Sequence, residues 1–355
     1  MKGRLEYVDA LRGVAILLVV YVHLVSQGLY YNKGGWEKEL YSLATGCMPF
    51  RMALFFFISG LFAYTLYDTA TLRKRVANRL TRQLWPTLAI CALFNALFFW
   101  KGWENLIFNR HNAGYWFTQS LVQTFIFYAV TAWGMERMRL SRGAQTVVIC
   151  GIIGVLVWLR RHLFGDGHIG AFYMATYLVK TIQWAPFFLA GVVMKMWFEE
   201  VIAFIEREWW VIGGIAAYYI CGLVWKEMAI PELMAASGVA GIYILFHQTR
   251  GFWGSNGLLL RGLRSLGKQT LPIYLYHYMI IQPICTHRLL GGLKWVYGKP
   301  WAELPIIMGI AIGIAAICVV TDRCIKRGAP WLHGILYNPI ALKFRRKEEA
   351  GLSRA

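Results

Sequence analysis

The sequence predicts an all-α integral membrane protein, a bundle of about ten transmembrane helices. Apolar runs of roughly 20 residues recur from one end to the other. That is the length a helix rising 1.5 Å per residue needs to cross a hydrocarbon core of about 30 Å. The composition points the same way: 58% of the 355 residues are hydrophobic and 15% are charged, whereas a soluble domain carries about 25% charge. The mean hydropathy is +0.46, and Lys and Arg fall mainly between the apolar runs.

Taken in order, the spans are predicted at roughly residues 10–31, 49–67, 84–100, 116–134, 144–159, 174–195, 209–225, 231–247, 270–290 and 304–322. The first run continues to Tyr31 without an A-x-A cleavage pattern, so it is read as an uncleaved helix. Ten crossings put both termini on one side. Alternation then assigns 25 of the 37 Lys and Arg to that side and 12 to the other, which makes the termini cytoplasmic. Segment 68–83, read as a loop, supplies Arg73, Lys74, Arg75, Arg79 and Arg82. An extra or missing crossing between Arg160 and Pro231 would invert the middle of this map. No repeat or linker divides the chain, so residues 1–355 are read as one membrane domain with a basic cytoplasmic tail from about residue 323.

The formal charge of +19 could suggest nucleic acid, but topology and attraction to the lipid bilayer account for it, and nucleic acid is not expected as a partner. The cysteines 47, 91, 150, 221, 285, 318 and 324 have no CxxC spacing. They read as small hydrophobes, with neither disulfides nor a metal.

Three groups of residues stand out. In the first helix, "EYVDALRGVAILLVVYVHLVSQ", Asp9, Arg12 and His23 are the polar residues of an apolar stretch. Eleven residues separate Arg12 from His23, three turns with an offset of about 20° and a rise of about 16 Å, so both share one face. Asp9 lies one turn below and can pair with Arg12. An ionisable residue at that depth marks a functional site, the alternative being a histidine satisfied by a neighbouring helix. Arg79 and Arg82, an RxxR pair before the third helix, can clamp a phosphate or merely anchor the chain on its cytoplasmic side. The ninth helix, "LPIYLYHYMII", holds Tyr274, His277 and Tyr278, with His277 about two turns into the membrane. His247 and His333 are read as ordinary.

Together, "YVDALRGVAILLVVYVHL" with its R-x10-H spacing, "MALFFFISGLF", "NRLTRQLWP" and "LPIYLYHYMII" resemble acyltransferase family 3 of membrane O-acyltransferases, in the same order and at similar intervals. The resemblance implies a multi-pass enzyme of the plasma (inner) membrane. Such an enzyme takes an acyl group from cytoplasmic acyl-CoA and places it on a hydroxyl of a cell-envelope or exported glycan or glycolipid. It further implies that Arg12 and His23 form the first-helix motif and that Arg79 and Arg82 bind the donor's phosphates. His23 then serves as general base, with nucleophilic attack through an acyl-histidine intermediate as the open alternative, while Asp9 holds Arg12, and Ser59, Tyr274 and His277 line the pocket. The donor is expected to be acetyl-CoA, with succinyl open and no metal required. A transporter or flippase using the Arg12/His23 stripe is the rival reading, although no inverted repeat is visible. The charge pattern yields a direct test: reporters fused at Lys2, near Arg75 and at Ala355 should all read cytoplasmic. An external signal at either terminus would break the ten-span map.

Overall fold

A computed structural model describes residues 6–25, 50–98, 115–163, 177–224, 230–286, 293, 295–296 and 299–337. Among them every long element is a helix and none is a strand. In chain order these are α1 (Glu6–His23), α2 (Phe50–Leu61), α3 (Thr69–Arg79), a π-helical turn (Leu80–Leu84), α4 (Trp85–Phe98), α5 (Trp116–Arg137), α6 (Arg142–Leu163) and α7 (Leu178–Met196). They continue as α8 (Phe198–Arg207), α9 (Trp209–Val224), α10 (Pro231–Gln248), α11 (Arg250–Gly254), α12 (Leu258–Lys268), α13 (Thr270–Thr286), α14 (Pro300–Gly328) and α15 (Pro330–Tyr337). The ends predicted at 26–31, 99–100, 174–176, 225 and 287–290 lie outside the described residues.

Several boundaries differ from the hydropathy reading. α1 begins at Glu6, and α14 extends the predicted 304–322 to 300–328. Segment 68–83 is helix rather than loop: α3 and the π turn run on into α4. Hydropathy misses α3 because none of its residues is buried. Its Leu, Arg, Lys and Ala are good helix formers, and Asp68 caps it by accepting from Thr71 N at 2.6 Å. α8, α11 and α12 likewise occupy stretches expected to be loops, and Arg160, Arg161 and His162 continue α6.

Two helices among the described residues are long and apolar enough to cross a membrane, Arg142–His162 and Trp301–Gly328. In the first, only 6% of the apolar window is buried within the protein. Val147, Val155 and Trp158 stand out from it. A core helix of a soluble fold would hide such a surface, and hydrocarbon is the medium that suits it.

The helices cluster into two compact units. Unit 1 comprises Met1–Tyr64 and Phe187–Val319; unit 2 comprises Thr65–Pro186 and Val320–Ala355. In unit 1, α1 is buried nearly all round, with 14 of its 18 residues buried, Asp9 of its polar stripe among them. α12 lies hard against it. A Cβ on Gly13 would overlap the carbonyl of Leu263, and one on Gly267 would overlap the carbonyl of Asp9. α2 and α7 cross in the same reciprocal way, with Gly60 on the Phe188 carbonyl and Gly191 on the Phe57 carbonyl. Buried Arg264 on α12 donates to the Trp253 carbonyl at 2.6 Å and reaches Glu6 at 3.2 Å, fixing the α11–α12 segment to the start of α1.

In unit 2, Tyr67 meets Tyr128 of α5 edge to face at 5.9 Å, and Trp85 Nε1 donates to the carbonyl of Ile335 in α15 at 2.9 Å. Unit 1's glycine crossings have a measurable consequence. Gly267→Ala must push backbone from backbone, and should lower stability by about 1–3 kcal/mol or more. Gly151→Ala in α6 meets nothing within 4 Å and should be neutral or slightly stabilising. Thermal unfolding in detergent compares them, and equal melting would mean that α12 can move off α1 freely.

Candidate active site

α1 and α13 run parallel and are tied at two heights. Near their starts Arg12 Nη2 donates to Thr270 Oγ1 at 3.0 Å. Further along, Tyr278 Oη lies 2.9 Å from His23 Nδ1 and 3.1 Å from His23 Nε2. His23 sits on the last turn of α1 and is half-buried. His277, one residue before Tyr278, is fully buried, and its ring centroid is 5.4 Å from that of His23. Tyr278 therefore touches both imidazoles, with centroid distances of 4.7 Å to His23 and 4.4 Å to His277.

The helix itself determines the tautomer of His277. Its Nδ1 faces the carbonyls of Ile273 at 3.0 Å and Tyr274 at 2.8 Å, so Nδ1 carries the hydrogen and donates. Nε2 is left as a lone-pair acceptor, buried and, among the described residues, without a hydrogen-bond partner. Tyr274 is itself buried, with its ring 5.9 Å from the imidazole. Arg51, at the start of α2, is one of the charges that act on His23. Tyr21 donates to buried Glu303 of α14 at 3.3 Å. Of the remaining sequence-predicted residues of unit 1, Asp9 is buried and Ser59 is half-buried on α2.

Arg79 and Arg82 belong to unit 2. Arg79 is half-buried, donates through Nη1 to Gln83 Oε1 at 2.6 Å, and lies 4.6 Å from the centroid of the Phe125 ring. Arg82, inside the π turn, is exposed. The arginine that shares the setting of Arg79 is Arg75, one helical turn earlier: it stacks over Tyr67 at 5.6 Å, and both guanidiniums act on the Tyr67 hydroxyl.

Four site-like features go beyond the sequence reading: Tyr278 as the contact of His23, and Arg51, Arg75 and Glu303. Glu303 and Arg51 did leave a signal, since each is an ionisable residue at the edge of an apolar run. His247, read as ordinary, joins a network in unit 1. Its Nδ1 is 3.3 Å from Tyr7 Oη, which lies 3.1 Å from Tyr243 Oη, and its Nε2 is 3.8 Å from Glu206. Among the described residues no group of three or more His, Cys, Asp or Glu could hold a metal ion.

A helical protein that keeps a histidine–tyrosine–histidine group among apolar helices has the means to move a proton away from water. The model of the acyltransferase domain family matches residues 5–321, nine-tenths of the chain. The protein thus belongs to acyltransferase family 3, a family of membrane acyltransferases. No curated protein and no solved structure matches the chain significantly.

Proposed function

We propose that the protein transfers an acyl group, acetyl in the first instance and succinyl as the alternative, from cytoplasmic acyl-CoA to a hydroxyl of a cell-envelope or exported glycan or glycolipid. It acts from a ten-span position in the plasma (inner) membrane with both termini cytoplasmic. The observation that carries the chemistry is His23 held by Tyr278 beside His277. The parallel course of α1 and α13 agrees with the map in parity, because parallel helices are separated by an odd number of crossings and the map places seven spans between them.

His23 is the general base. One imidazole nitrogen engages Tyr278 and the other takes the proton of the attacking hydroxyl as its oxygen bonds to the thioester carbonyl carbon. When the tetrahedral intermediate collapses, the carbon–sulfur bond breaks and the thiolate of CoA takes the proton back from the imidazolium. Tyr278, whose hydroxyl lies within 3.1 Å of both ring nitrogens, is a positioning residue that anchors the ring beside His277. Arg79 and Arg82 supply charge-assisted hydrogen bonds to the phosphates of the donor, and Arg75 is on hand to join them.

Two experiments test this reading. His23→Ala should reduce acyl transfer in membranes by at least about 100-fold without loss of expression. His23→Gln, whose amide hydrogen-bonds but takes no proton at neutral pH, should be as inactive as Ala. A well-expressed Gln variant that still acylates would reduce His23 to a packing residue. Arg79→Ala combined with Arg82→Ala should weaken acyl-CoA binding by about tenfold or more. Lys at both positions should restore only part, and Arg75→Ala should weaken binding alongside them. Unchanged affinity in all three variants would return these arginines to membrane anchoring.

A further inference from the structure

The acyl-transfer reading leaves one atom unused. His277 Nε2 is a buried hydrogen-bond acceptor that meets no donor among the described residues, on a ring whose tautomer is locked by the carbonyls of Ile273 and Tyr274. A polar atom sealed from water without a partner destabilises a fold, and such an atom calls for an explanation. It lies beside the base. Because Nδ1 is committed to donation, Nε2 can receive only an O–H or N–H group.

The attacking hydroxyl cannot serve, since it has a single proton and that proton belongs to His23. A glycan has a second hydroxyl on the neighbouring carbon, about a hydrogen-bond length away from the first. The two imidazole rings are near neighbours, with centroids 5.4 Å apart, a separation that neighbouring hydroxyls and their hydrogen bonds can span. We propose that His277 Nε2 accepts a hydrogen bond from the hydroxyl adjacent to the one being acylated, so that the site selects vicinal diols. This inference rests on the acyl-transfer reading and deepens it, because it defines the class of acceptor. The constraint is strong in the apolar interior, since an acceptor lacking the second hydroxyl leaves Nε2 unpaired, and sites built to bind a hydroxyl reject analogues without it. Discrimination then comes from one fixed lone pair on a rigid helix.

The test uses detergent-solubilised full-length protein, radiolabelled acetyl-CoA, octyl β-D-glucopyranoside and its four monodeoxy analogues. In the wild type, loss of the attacked hydroxyl abolishes transfer, and loss of an adjacent one should reduce it by about 10- to 100-fold. His277→Leu, which removes the unpaired acceptor and keeps the volume apolar, should fold with equal or higher melting temperature and transfer more slowly to the parent glucoside. It should also lose its discrimination against the adjacent-deoxy analogue, while acetyl-CoA binding stays unchanged. His277→Gln, which can still accept at the position of Nε2, should keep part of the preference. An unaltered ranking of the analogues in His277→Leu overturns the proposal, as does a wild type indifferent to every adjacent hydroxyl or inactive on the whole series. Weakened acetyl-CoA binding in that variant overturns it too, since the hydrogen-bond donor would then be on the acyl donor. If the wild type acylates envelope glycans in membranes, such results remove only the role of His277; if it acylates no hydroxyl at all, they remove the acyl-transfer reading as well.

Discussion

A hydrocarbon surround offers a helix no water with which to satisfy a stray polar group, and this constraint shapes unit 1 throughout. α1 is buried on nearly all sides, so each polar side chain it carries must find a partner on a neighbour. Arg12 reaches Thr270, Tyr21 reaches Glu303, and His23 reaches Tyr278. Those contacts need the helices held in a fixed register. Close approach elsewhere on the same helix helps to hold it, where Gly13 and Gly267 bring α1 and α12 to backbone contact. The site is therefore a consequence of packing: the same closeness that leaves no room for a Cβ holds the first helix where its histidine can meet the tyrosine of α13.

The sequence displayed the helices more fully than their relations. Length and hydropathy locate the apolar runs because burial in lipid demands them. The Arg12–His23 stripe is visible because 11 residues bring an α-helix back to one face. Tyr278 was visible as a residue beside His277. Its contact with His23 was not, because it depends on α1 and α13 being parallel neighbours across 255 positions of sequence. The glycines of the crossings read in one dimension as ordinary apolar filler. Glu303 stands one residue before the predicted start of the last span and so fell outside it.

The basic segment before α4 was hidden for a different reason. Hydropathy treats a charged stretch as the space between helices, yet α3 is held as helix by local terms, the Asp68 cap and good helix formers, with no burial. On a regular α-helix Arg79 and Arg82 would lie about 60° apart and share a face. The π turn that begins at Leu80 changes that phase. With about 4.4 residues per turn, three steps carry Arg82 roughly 115° away from Arg79, while four bring Gln83 within roughly 35° of it. The contacts follow this geometry: Gln83 accepts from Arg79 at 2.6 Å and Arg82 is exposed. On the regular α3 side of the turn, Arg75 is only about 40° from Arg79, and both act on the Tyr67 hydroxyl. A single inserted residue in the helical turn thus turns Arg82 away from the face that Arg75 and Arg79 share, which the spacing RxxR in sequence does not reveal.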